Sequence, residues 1–132
     1  MKLITRDTDY AVRALCFIAN RPEKVISVDD LVKGLKMPRP FLRKILQVLN
    51  RGSILHSYKG KGGGFKIAVP VERISIVDLI VIFQGALKIN ECFFKKRRCP
   101  NINICKLRKK IGGIEKNVLA ELKSITIADL LR

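Results

Sequence analysis

Three times in this chain a hydroxyl residue stands three positions before an aspartate: Ser27 before Asp30, Ser75 before Asp78, and Thr126 before Asp129. This is a capping box with Asp in place of the longer acid. The hydroxyl accepts from an early helical N–H and the carboxylate accepts from the cap's own N–H. Each cap also follows an isoleucine (Ile26, Ile74, Ile125) and precedes, four residues on, a leucine (Leu31, Leu79, Leu130). That is the spacing of a hydrophobic staple, which fixes the angle at which the chain enters a helix. Three helix starts are therefore set, and any fold must be built around them.

The rest of the pattern fills in between these points. Ala11, Leu15 and Ile18 repeat at helical spacing and predict a first helix over about 8–20, ended by Arg21-Pro22. A second helix is predicted over 27–35 and a third over 39–50, separated by the turn Lys36-Met37-Pro38. Pro38 and Pro40 fit only the first turn of a helix, and Gly52 closes the third. Two strand-like runs, 53–58 and 65–69, flank the turn Lys59-Gly-Lys-Gly-Gly-Gly64 and read as a hairpin. A fourth helix starts at Ser75 and fades near Gly85. A long helix follows over about 105–123, with Gly112 and Gly113 as weak points and Ile114, Val118, Leu122 and Ile125 as its apolar stripe. A capped turn closes the pattern over 126–131. The expected fold is mostly α with a small β-hairpin: a winged helix-turn-helix plus a long C-terminal helix. The expected division is a DNA-binding part at 1–72 and, at 73–132, a connector helix, a cysteine loop (90–105) and the long helix.

Charge narrows the partner. The 132 residues carry 27 Lys and Arg against 11 Asp and Glu, a net +16. An excess of that size implies a polyanion, either nucleic acid or an anionic membrane surface. No apolar run reaches membrane-spanning length, and the longest, from Ile74 to Phe83, is broken by Ser75 and Asp78. Arg6, Asp7 and Asp9 follow directly on the first apolar residues, which is not a signal peptide's layout, so the expected location is cytoplasmic. The third helix decides between the polyanions. Leu42, Ile45, Leu46 and Leu49 form one face to pack, and Arg39, Arg43, Lys44 and Gln47 form a cationic face to offer. A helix fits the major groove of B-DNA, where Arg and Lys pair with guanine. Lys59 and Lys61 sit on the hairpin tip, within reach of a phosphate or a minor groove.

Four cysteines are present. Cys16 falls within the apolar pattern of the first helix and reads as core packing. Cys92, Cys99 and Cys105 gather in fourteen residues, and the stretch from Lys88 to Lys110 holds nine basic residues and one acid. Such surroundings lower thiol pKa values and offset the charge of clustered thiolates. In a reducing compartment the pattern reads as a metal or redox site. The spacing is unlike the Cys-x2-Cys pair of zinc fingers. The only histidine, His56, lies in the hairpin, which leaves the fourth ligand as a carboxylate, a solvent or small thiol, or a group from a second subunit.

Taken together, these residues resemble the Rrf-type winged-helix transcription regulators, the family with IscR-like and NsrR-like members. The likeness covers nearly the whole chain. It is carried by Asp9-Tyr-Ala-Val-Arg-Ala-Leu15 in the first helix and Leu49-Asn-Arg-Gly52 at the end of the third. Lys59-Gly-Lys-Gly-Gly-Gly-Phe65 in the wing and Ser124-Ile-Thr-Ile-Ala-Asp-Leu130 at the close complete it. The resemblance implies a homodimer held by the long C-terminal helix, two wings on a palindromic operator in double-stranded DNA, and an iron–sulfur cluster on Cys92, Cys99 and Cys105. IscR-like members place a histidine three residues after the last cysteine, where this chain has Arg108. NsrR-like members use an acid in the first helix of the partner subunit, and the matching position is Asp9, with Asp7 next. The resemblance thus favours a 4Fe–4S cluster with Asp9 supplied in trans over a 2Fe–2S site, in a repressor or activator that senses nitric oxide, iron or redox state. Two rivals remain: a winged-helix protein whose cysteines hold zinc or act as a thiol switch, and an iron–sulfur electron carrier. Against any enzyme stands the lack of paired carboxylates or a Ser/His/Asp set.

Overall fold

The computed structural model describes residues 3–87 and 106–131. Helix α1 spans Arg6–Ala19, α2 Val28–Leu35 and α3 Arg39–Arg51. Strands β1 (Leu55–Tyr58) and β2 (Gly64–Ile67) follow, then a 3₁₀ turn at Val71–Arg73. Helices α4 (Ile76–Gln84), α5 (Lys106–Ser124) and α6 (Ile127–Leu130) complete the order.

The caps form where the sequence put them. Ser27 and Ser75 each accept from the N–H three residues on at 3.1 Å, and Asp30 and Asp78 each accept from the cap N–H at 3.1 Å. At the third cap the Thr126 N–H donates to the Asp129 carboxylate at 2.9 Å, and the Thr126 hydroxyl donates to the same carboxylate oxygen. Pro38 starts α3 with φ −61°, and no side chain caps it. Between α2 and α3, Lys36 takes the left-handed conformation at φ 55°, and its N–H donates to the Val32 carbonyl. This ends α2 and turns the chain into α3, which packs against α2. Helix α5 runs through Gly112 and Gly113 without a break.

One core unites these elements. Ala11, Ala14, Leu15 and Ile18 from α1 meet Leu31 from α2 and Leu42, Ile45, Leu46 and Leu49 from α3, all buried. Ile54, Leu55, Ile74, Leu79 and Ile127 belong to the same cluster, so α4 and α6 share the core of the three-helix unit. Each leucine or isoleucine among them contributes about 1.5–3 kcal/mol when fully buried. By contrast, α5 has no buried residue, and Leu107 and Ile114 on it are exposed.

Two hydrogen-bonded junctions tie distant segments. The hairpin pairs β1 and β2 antiparallel, from Leu55 opposite Ile67 to Tyr58 opposite Gly64. On its other side Phe65 exchanges bonds with Ile26, at 3.0 and 2.8 Å, immediately before the Ser27 cap of α2. The hairpin is thereby anchored to the helix-turn-helix. Further along, the Ile76 N–H donates to the Ile125 carbonyl and the Ile127 N–H to that of Ile74, both at 2.9 Å. The caps of α4 and α6 thus lie side by side.

Candidate nucleic-acid interface and cysteine segment

Burial of Leu42, Ile45, Leu46 and Leu49 leaves the opposite face of α3 to solvent. Arg39, Arg43, Lys44 and Gln47 are all exposed there. Arg39, Arg43 and Gln47 recur every four residues and form a row along the helix. The row is not uniform in charge, because the Arg39 guanidinium is ion-paired with Asp29 in the first turn of α2. Pairs this exposed are worth little in stability, but they do orient the longer side chain.

The wing stands beside this face. Gln47 and Asn50 of α3 and Tyr58, Lys59 and Phe65 of the hairpin line one open cleft of about 350 Å³. Recognition helix and wing therefore share a border, with Gln47 and Lys59 on it. Lys61 is exposed at the tip. The run of glycines has specific causes. Gly62 sits at φ +78°, which L side chains rarely adopt, and a Cβ on Gly64 would collide with the Ile26 carbonyl at the anchoring bridge. The tip has to turn tightly and the return strand has to lie flat on the segment before α2. His56 is exposed on β1, opposite Lys66.

The sequence-proposed metal ligands divide. Cys92, Cys99 and Cys105 lie outside the described residues. Asp9 lies in the first turn of α1, where its carboxylate accepts from Arg13 Nε at 3.0 Å and its side chain is 45% exposed. Asp7 is partly exposed in the same turn. Cys16 is half-buried against the core, and burial pushes its thiol pKa up, as expected of a packing cysteine. Among the described residues, no group of three His, Cys, Asp or Glu side chains is placed to hold a metal. Nor is any described helix long and apolar enough to cross a membrane.

Sequence reasoning missed two contacts next to these sites. The Arg6 guanidinium lies 4.5 Å from the centre of the Phe41 ring, joining the start of α1 to the start of α3. Thr8, fully buried in α1, donates to Gln84 at the end of α4 at 2.7 Å. A signal for the second was present, since Thr8 falls on the apolar stripe three residues before Ala11 and Gln84 ends an apolar run.

Comparison with known proteins agrees with this geometry. Residues 4–132 match the family Rrf2, described as an iron-dependent transcriptional regulator. A protein of Aquifex aeolicus named among HTH-type transcriptional regulators is 32% identical over 124 residues, covering 92% of this chain and 86% of that protein. Protein rrf2 of Nitratidesulfovibrio vulgaris is 29% identical over 133 residues, covering 100% of this chain and 88% of its own length. Among solved structures, CymR, the global cysteine regulator of B. subtilis, superposes with a TM-score of 0.81 at 20% identity, over 98% of this chain and 96% of that one. IscR of T. potens superposes with a TM-score of 0.76 at 22% identity, over 98% and 85%. With a helix-turn-helix, an anchored wing and a match over nearly its full length, the chain belongs to the Rrf2 family of winged-helix transcriptional regulators, whose partner is DNA.

Proposed function

We propose that the chain is a cytoplasmic, homodimeric regulator that grips a palindromic operator with α3 and the wing and is governed by an iron–sulfur cluster on its cysteine segment. The observation that supports the DNA part is the cleft shared by Gln47, on the exposed row of α3, and Lys59 of the hairpin. Arg43 and Gln47 read base edges, while Lys44, Lys59 and Lys61 hold phosphates. Arg39, steadied by Asp29, serves the edge of the interface. Residues 1–72 form the DNA-binding part, and residues 73–132 carry the cysteines and the dimer contact through exposed α5.

The donor set fits a cluster. Thiolates are soft ligands suited to iron–sulfur centres, and the basic stretch around Cys92, Cys99 and Cys105 offsets their charge. Asp9 of a second subunit supplies the fourth ligand, which favours 4Fe–4S over 2Fe–2S. Such a cluster would supply sensitivity to nitric oxide, iron or redox state. Anaerobically purified protein is expected to show broad visible absorption that disappears in Cys92→Ala. A colourless anaerobic preparation that takes up no iron on reconstitution overturns the cluster. Zinc or a thiol switch on the same cysteines is the second reading, and metal analysis separates the two. Titration of DNA by Arg43→Ala should show relaxed sequence preference, and equal loss on all sequences overturns the role given to α3.

A further inference from the structure

The amide of Gln84, the last residue of α4, makes three hydrogen bonds to the start of the chain. Its Oε1 accepts from the Thr5 N–H at 2.9 Å and from the Thr8 hydroxyl at 2.7 Å, and its Nε2 donates to the Leu3 carbonyl at 3.2 Å. Thr8 is fully buried, so with Gln84 lost its hydroxyl keeps only the longer contact to the Thr5 hydroxyl at 3.3 Å. One side chain therefore fixes the first turn of α1 from more than seventy residues away. That same turn carries Arg6, whose guanidinium stacks on Phe41, the third residue of α3, at 4.5 Å. The first turn of α1 is held by α4 on one side and touches the leading end of α3 on the other. The leading end of α3 sets where Arg43, assigned above to a base edge and two residues beyond Phe41, meets the groove.

We propose that Gln84 is a positioning residue for DNA recognition, setting the leading end of α3 through the first turn of α1 and the Arg6–Phe41 stack. The proposal rests on the DNA-reading role given to α3 above. Buried polar junctions with every partner satisfied specify one arrangement more sharply than apolar packing does. The Gln84–Thr8 bond has part of that character, since Thr8 is fully buried, and it joins α4 to α1, the helix whose first turn touches α3.

The test measures affinity of the full-length protein for two duplexes of equal length, one selected from a random pool by the wild-type protein and one unselected. Gln84→Leu, which removes both the acceptor and the donor, should lower the selected-to-unselected affinity ratio by about tenfold. Binding to the unselected duplex should stay within about twofold, because the phosphate-holding lysines are untouched. Gln84→Glu keeps the acceptor for Thr5 and Thr8 and should retain most of the ratio. Phe41→Leu acts further along the same route, so the double variant should be no worse than the poorer single one. Arg6→Gln, at an exposed position, gives the same reading if Gln84→Leu does not fold. A loss shared equally by both duplexes, or additive losses in the double variant, overturns the proposal. Arg43→Ala separates the two levels. If it spares the ratio, the reading of α3 falls and this proposal with it. If it collapses the ratio while Gln84→Leu does not, only the role of Gln84 is refuted.

Discussion

Raising monovalent salt from about 50 to about 200 mM should weaken operator binding by about 10³-fold. The figure follows from the exposed cations of the interface. Arg43 is assigned to a base and Arg39 is tied to Asp29, which leaves Lys44, Lys59 and Lys61 for phosphates. A dimer then neutralises about six phosphates, and the slope of log affinity against log salt is about −5. Lys61→Ala removes one contact per protomer and should make that slope shallower by about 2, with similar losses on any sequence. Fluorescence anisotropy of a labelled duplex across a salt series measures both quantities. A wild-type slope no steeper than about −2, or a slope that Lys61→Ala leaves unchanged, would show that the wing tip does not hold the backbone.

Three further outcomes test the scaffold. Ile127→Ala, at a fully buried position, should cost about 2–5 kcal/mol and lower a single cooperative denaturation transition; two separate transitions would refute the shared core. Gly64→Ala should push β2 off Ile26 and weaken DNA binding more than it lowers the melting temperature, as anisotropy and calorimetry on one preparation would show. Asp30 accepts from the Ser27 backbone N–H, which holds its carboxyl below the usual aspartate range. A depressed folded-state pKa stabilises above the unfolded pKa and loses that contribution as pH falls through the folded value. Asp30→Asn should therefore be less stable than wild type at neutral pH, with the gap closing in acid; a gap that stays constant with pH in urea titrations would remove the ionic origin.

Local signals made much of the fold legible. Hydroxyl–Asp spacing marked α2, α4 and α6 because capping is decided within four residues, and Pro38 marked α3 because its ring excludes other places. The cationic row of α3 was readable because its apolar stripe fixed which face would pack. What escaped the sequence were side-chain meetings across long separations. Nothing near Arg39 announces Asp29, nothing near Arg6 announces Phe41, and Gln84 looks like an ordinary helix end until Thr8 is brought to it. The glycine run could be read as a turn but not as a strand pressed on the Ile26 carbonyl, since that approach exists only once the bridge forms.

The paired caps at Ser75 and Thr126 make the chain return to the point it left. Helix α5, which buries no residue of its own, leads back to this point at Ile125. An excursion whose two feet are fastened together behaves as a cassette. Closing a longer loop between fixed ends costs only slowly more entropy, so a change of length between the two caps should cost the shared core little. The seam, not the core, is where such a scaffold can change with least disturbance.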